Sequence, residues 1–322
     1  MIFPGGGGGF DSRVVVSVVW CLMVRSAGSL HQSCRMGYQF KRMTADCKDL
    51  KLNQIPMNLN HGIEILMASE NRIRELKNET LEAYPNLELL YLSNNFINYV
   101  EPAAFRAVPK LEVLDLGLNG IRTLPLELPL PLRKLYLNGN RDLEKITLTS
   151  AYNLQYLSLA ECHLSQMPDI GELPHLTELN LTDNPLTKIT ARQIAPLCRL
   201  NKLHTPDILY TQHKDSCECH EFQHWVKKFK IATTAPIECS NFSEVKLELC
   251  LSANRTELYE IRNTCLDRKP PLNLTSPEIL STAGCALLVV ILVILCCLWR
   301  RSRRKQNTVR DNQKKQKVTT VV

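Results

Sequence analysis

One spacing constrains this chain more than any other. A large apolar residue recurs at Ile63, Leu87, Leu111, Leu132, Leu154 and Leu176, separated by 24, 24, 21, 22 and 22 residues. Eight residues after each stands a fixed partner: Asn71, Asn95, Asn119, Asn140, Cys162 and Asn184. The stretch Leu87–Ile97, L-E-L-L-Y-L-S-N-N-F-I, gives the full pattern, with apolar residues at Leu87, Leu90, Leu92 and Ile97. Leu90 and Leu92 alternate as on a short strand and point inward while the residues between them face out. Asn95 then turns the chain, its amide meeting backbone groups that the bend would leave unpaired. Leu200, Leu203, Thr205, Ile208 and Tyr210 continue the period as a worn seventh unit.

Six matches in phase to L-x-x-L-x-L-x-x-N/C-x-L resemble the leucine-rich repeat, whose fold is an α/β solenoid with a parallel sheet on its concave face. No unit buries its apolar side alone, so the repeats over 61–199 form one elongated body, closed at each end by a cap. Between strands, segments such as Val100-Glu101-Pro102-Ala103-Ala104-Phe105 cross the convex back. Their longer span curves the stack, and Phe105 fills space between layers.

The formal charge of +7 misleads when taken whole. Residues 300–322 carry nine Lys/Arg against Asp311 alone, a balance of +8, which leaves about −1 for everything before them. No basic surface for nucleic acid is implied in the folded part. Thirteen cysteines suit an oxidising compartment. Cys21, Cys285, Cys296 and Cys297 lie in apolar runs, and Cys162 fills a turn slot as a packed thiol. Cys34, Cys47, Cys198, Cys217, Cys219, Cys239, Cys250 and Cys265 remain, enough for four bridges; Cys34 with Cys47 is the natural local pair.

Residues 1–29 read as a secretion signal, with Arg13, the apolar run Val14–Val24 and small residues after it. Residues 30–60 form an N-terminal cap. Residues 200–265 resemble the cysteine-rich C-terminal cap of extracellular leucine-rich-repeat proteins, through Cys217-x-Cys219 and an apolar helical face of Phe222, Trp225, Val226 and Phe229. The N-terminal cap departs from the family's four-cysteine form by having two. The C-terminal cap departs through Cys198 and one extra among Cys239, Cys250 and Cys265, so its pairing stays open. Residues 266–278 form a proline-stiffened stalk. Ile279–Trp299 is 21 residues without a charge, long enough for a membrane span, and the basic run after it places the tail in the cytoplasm. The layout resembles single-pass (type I) leucine-rich-repeat proteins, with a second likeness to the transmembrane insect leucine-rich immune proteins. Resemblance to the first implies a plasma-membrane receptor, co-receptor or adhesion molecule that binds a protein, without catalysis or cofactor. Resemblance to the second implies innate immune recognition.

The candidate site is the outward strand positions: Ile65/Met67/Ser69, Leu89/Tyr91/Ser93, Val113/Asp115/Gly117, Lys134/Tyr136/Asn138, Tyr156/Ser158/Ala160 and Glu178/Asn180/Thr182. Tyr91, Tyr136 and Tyr156 bring the aromatic surface that dominates protein interfaces, with Asp115, Lys134, Glu178 and Asn180 beside them. Sequons mark Asn78, Asn241, Asn254 and Asn273 for glycosylation. A further sequon at Asn180 would place a glycan on the concave row. His220-Glu221-Phe222-Gln223-His224 spells the zinc-protease motif H-E-x-x-H, but inside a cap helix it has no room for a substrate cleft. Cys296 and Cys297 suit palmitoylation at the membrane edge. Thr320-Val321-Val322 resembles a PDZ-domain ligand.

Overall fold

The computed structural model describes residues 33–268, apart from 127–129 and 149–150. Ten strands form one sheet in chain order. The first two, Arg35–Gln39 and Arg42–Asp46, are an antiparallel hairpin. From there every neighbour is parallel: Ile65–Met67, Leu89–Tyr91, Val113–Asp115, Lys134–Tyr136, Tyr156–Ser158, Glu178–Asn180, Lys202–His204 and Ala232–Thr233. The register carries one leucine per repeat into line, Leu66, Leu90, Leu114, Leu135, Leu157, Leu179 and Leu203, all fully buried. Each is worth roughly 1.5–3 kcal/mol of burial, and none has a core to enter except the one its neighbours make.

The asparagines stitch the layers. Asn95 donates through Nδ2 to Ala68 O in the preceding repeat and to Leu92 O in its own, and its Oδ1 accepts from Ile73 N at 3.1 Å. Asn71, Asn119, Asn140 and Asn184 make equivalent sets. Cys162 is the exception that the local backbone permits. Its thiol lies 3.2 Å from Leu137 O and supplies no amide acceptor. The amide acceptor missing there would have faced Asp142 N, on an exposed residue that water can reach. Burial pushes that thiol up to about 11, so it stays protonated.

The residue before each turn slot adopts the left-handed region: Glu70, Asn94, Leu118, Gly139, Glu161 and Asp183, with φ between 52° and 75°. Side-chain sequence alone hides this, since only one of the six is glycine. The seventh unit departs from the pattern. Ile208, in the turn slot, is 43% exposed, and the Thr205 hydroxyl is buried without a partner. A branched apolar side chain cannot bond backbone, so Tyr210 takes over the stitching: its N–H donates to Thr187 O at 2.7 Å and its hydroxyl to Ile189 O.

On the convex side, Glu75–Leu76 pairs with Tyr99–Val100 and Thr123–Pro125 with Lys145–Thr147, both parallel. Helix α1 (Ala191–Ile194) opens on a capping box of Thr190 and Gln193. Helix α2 (Cys217–Lys228) is capped by Ser216 and buries Cys219, His220, Phe222, Trp225 and Val226, while Phe229 lies just past its end. Helices α3 (Glu244–Ser252) and α4 (Arg255–Asp267) complete the C-terminal end; α4 runs into the start of the expected stalk. Four disulfides hold both ends: Cys34–Cys47, Cys198–Cys265, Cys217–Cys250 and Cys219–Cys239.

The expected signal segment, membrane span and basic tail, with Asn273, Cys296, Cys297, Thr320 and Val322, lie outside the described residues. Among the described residues no helix is long and apolar enough to cross a membrane.

Candidate protein-binding face

Strand register decides which outward side chains become neighbours. Met67, Tyr91, Asp115, Tyr136, Ser158, Asn180 and His204 stand in one row across seven strands. Ile65, Leu89, Val113, Lys134, Tyr156, Glu178 and Lys202 stand in the next. Adjacent strands lie about 4.8 Å apart, so row neighbours touch. Asp115 therefore sits between Tyr91 and Tyr136, and the Tyr136 and Tyr156 rings meet at 5.0 Å between centroids, tilted by 42°.

Burial raises the phenol of Tyr91, with the Asp115 carboxylate adding to it. Burial likewise raises Tyr136, with smaller contributions from Tyr156, Tyr91, Asp115 and Glu178. Both tyrosines are neutral hydroxyl donors at physiological pH. Asp115 folds one oxygen back onto Gly117 N at 2.9 Å and has no ion pair among the described residues. Glu178 is committed differently. Its Oε1 pairs with His204 Nε2 at 2.7 Å and accepts from Lys202 Nζ at 2.9 Å, and those two bonds hold its carboxyl below the usual range. Asn180 Oδ1 accepts from the N–H and hydroxyl of Thr182. The central strands thus offer hydroxyls and a carboxylate with no ion pair among the described residues, and the C-terminal strands a self-neutralised cluster.

Several expected outward residues are not surface at all. Ile65, Ser158, Ala160 and Gly117 are buried. Their backbone faces outward, but small side chains are shaded by larger row neighbours. At Gly117 the cause is direct: a Cβ there would stand 2.9 Å from the Asn138 Oδ1, so Asn138 lies over the glycine. Ile65 lies between Thr44 and Leu89 in the register, at the start of the row where the hairpin extends the sheet. The usable face is therefore Tyr91, Asp115, Lys134, Tyr136 and Tyr156, with Glu178 and Asn180 beyond them.

A leucine-rich-repeat family model matches residues 61–121, and a two-copy leucine-rich-repeat model matches residues 152–197. These repeats are leucine-rich repeats. They stand between disulfide-bonded ends, as in capped proteins of that type. No curated protein matches the chain. Among solved structures it is similar to human 5T4 (Wnt-activated inhibitory factor 1, trophoblast glycoprotein), at 18% identity over 72% of this chain and 99% of that one, with a TM-score of 0.48.

The H-E-x-x-H run lies on α2, with His220 8% exposed and its ring stacked 4.1 Å from that of Phe242. Glu221 accepts from Asn254 Nδ2 at 3.2 Å, so both residues are occupied in joining α2 to the start of α4. Among the described residues no three His, Cys, Asp or Glu side chains gather to hold a metal. Of the sequons, Asn78 and Asn241 are exposed, and Asn254 carries the bond to Glu221.

Proposed function

We propose that this chain is a cell-surface protein that grips an extracellular protein partner on its concave face, centred on Tyr91, Asp115, Tyr136 and Tyr156. The observation that carries this reading is the row itself. Tyr91, Asp115 and Tyr136 stand side by side on adjacent rigid strands with Tyr156 in the adjoining row, and rigid aromatic anchors of this kind supply most of the binding energy at interfaces. Sites on strands are pre-organised, so little side-chain entropy is lost on docking. Anchoring by Ile279–Trp299, with the basic tail inside and a PDZ-type terminus at Thr320 and Val322, completes the reading as a receptor, co-receptor or adhesion molecule.

The test displays the full chain on cells and identifies neighbouring surface proteins by proximity labelling. Tyr91→Ala with Tyr136→Ala should abolish the labelling of the specific partner while surface display is retained, since anchors of this type lose about 2 kcal/mol or more each. An unchanged labelling pattern would place the binding elsewhere.

A further inference from the structure

The outer edge of the sheet has features that the repeats do not explain. Among the described residues Arg35–Gln39 is the terminal strand, bonded on one side only, and every residue in it is exposed. Met36 is 47% exposed, Tyr38 72%, and Phe40 at the hairpin tip 87%. The side on which the free backbone groups lie follows from the neighbouring strand. Met43 O accepts from Glu64 N, and Cys47 N donates to Met67 O, so positions 43, 45 and 47 face the first repeat. Arg42, Thr44 and Asp46 therefore face the hairpin partner, bonding Gln39, Gly37 and Arg35. By the same alternation Met36 and Tyr38 point their N–H and C=O groups outward, with no described strand to receive them.

Gly37 stands between them. Its φ is not in the left-handed region, and a Cβ added there would meet nothing within 4 Å. Glycine in a strand interior weakens the strand and is expected where another backbone approaches closely. Among the described residues nothing makes that approach.

We propose that a second copy of this chain does, pairing Arg35–Gln39 antiparallel with its own counterpart about a two-fold axis at Gly37. The parity is self-consistent. Met36 then faces the partner's Tyr38, and Tyr38 the partner's Met36, which makes four backbone hydrogen bonds from the groups that point outward. Gly37 faces its own copy as the non-hydrogen-bonded pair, where Cα atoms come within about 4.5 Å and side chains crowd most. Arg35, the strand's only charged residue, faces the partner's Gln39, so no like charges meet. Met36 and Tyr38 share the face of Ala45 and Leu66, the core side, and the apolar interior continues across the axis. A cavity of about 360 Å³ bordered by Met36, Leu52, Pro56 and Leu59 lies on that border, of a size to take the partner's tyrosine ring. This contact is at the end of the stack and leaves the concave row free.

Single cysteines in the full chain on the cell surface test the register. Gly37→Cys meets its own copy at the axis and should give a reducible covalent dimer on a non-reducing gel. Gln39→Cys should not, because the two copies of residue 39 lie about four residues apart along the ladder. The full chain in mild detergent should weigh as a dimer by light scattering, and Tyr38→Lys should convert it to monomer with its thermal unfolding unchanged. A wild-type chain that is monomeric, or equal cross-linking at 37 and 39, would overturn the proposal; a different protein found on this edge would do the same.

Discussion

Replacing Asn184 by leucine separates hydrogen-bond stitching from simple volume, because leucine fills the slot and admits no ordered water. Asn184 is 4% exposed. It accepts from Cys162 N at 3.0 Å and Leu164 N at 2.9 Å, and donates to Leu159 O at 2.8 Å and Leu181 O at 3.0 Å. The substitution strands those four backbone groups. Each buried group left unmade costs about 1–3 kcal/mol. Taking the low end, because neighbouring loops relax, the loss is about 4 kcal/mol, a large share of the roughly 5–15 kcal/mol that holds an ordinary domain. Repeat stability is summed from neighbour interfaces, so the damage is local at first. Urea unfolding followed by Trp225 fluorescence should show the C-terminal half melting early, with far-ultraviolet dichroism retaining the N-terminal repeats longer. Lys188→Leu, an exposed change four residues on, should stay within about 0.5 kcal/mol of wild type. A loss under about 1 kcal/mol in Asn184→Leu would refute the stitching account and leave leucine burial as the only glue.

Further outcomes follow from the ends and the face. The Cys198–Cys265 bridge closes 67 residues, so replacing both by serine should cost about 4 kcal/mol in loop entropy and loosen α4 first, read by proteolysis near Arg255–Asp267. Glu178 has its carboxyl held down by His204 and then Lys202. Its contribution is present above the ordinary carboxylate value and lost as pH falls through the lower folded one. The difference in Tm between wild type and Glu178→Gln, under about 1 kcal/mol in stability, should therefore vanish in acid. Glycopeptide mass spectrometry should find Asn78 occupied and Asn180 bare, leaving the C-terminal half of the arc open.

The repeats were legible because two signals agree. A period-two leucine pair fixes each strand, and an asparagine eight residues after the first leucine fixes each turn. Neither depends on distant contacts. The seventh unit was legible as worn: its spacing holds and Leu203 joins the leucine line, but Ile208 has no amide and Tyr210 makes the backbone bonds there. The concave face was legible by position and overstated by area, since shading of Ser158, Ala160 and Gly117 depends on the size of neighbours 21–24 residues away. The three bridges at the C-terminal end were open in sequence, because pairing there depends on how α2, α3 and α4 pack. The apolar edge of Met36 and Tyr38 left no mark in the repeat pattern, as the hairpin precedes the first unit.

The central claim, that the concave row is what this chain binds with, is tested most directly by a glycan placed on it. Tyr136→Asn with Asn138→Thr creates an Asn-Leu-Thr sequon at the middle of the row, and Asn78→Gln removes a sugar from a site far from it. With both variants displayed on cells at wild-type levels, the account predicts that the glycan at 136 abolishes partner labelling and that loss of the one at 78 leaves it intact. Labelling that survives a fully occupied glycan at 136 would contradict it.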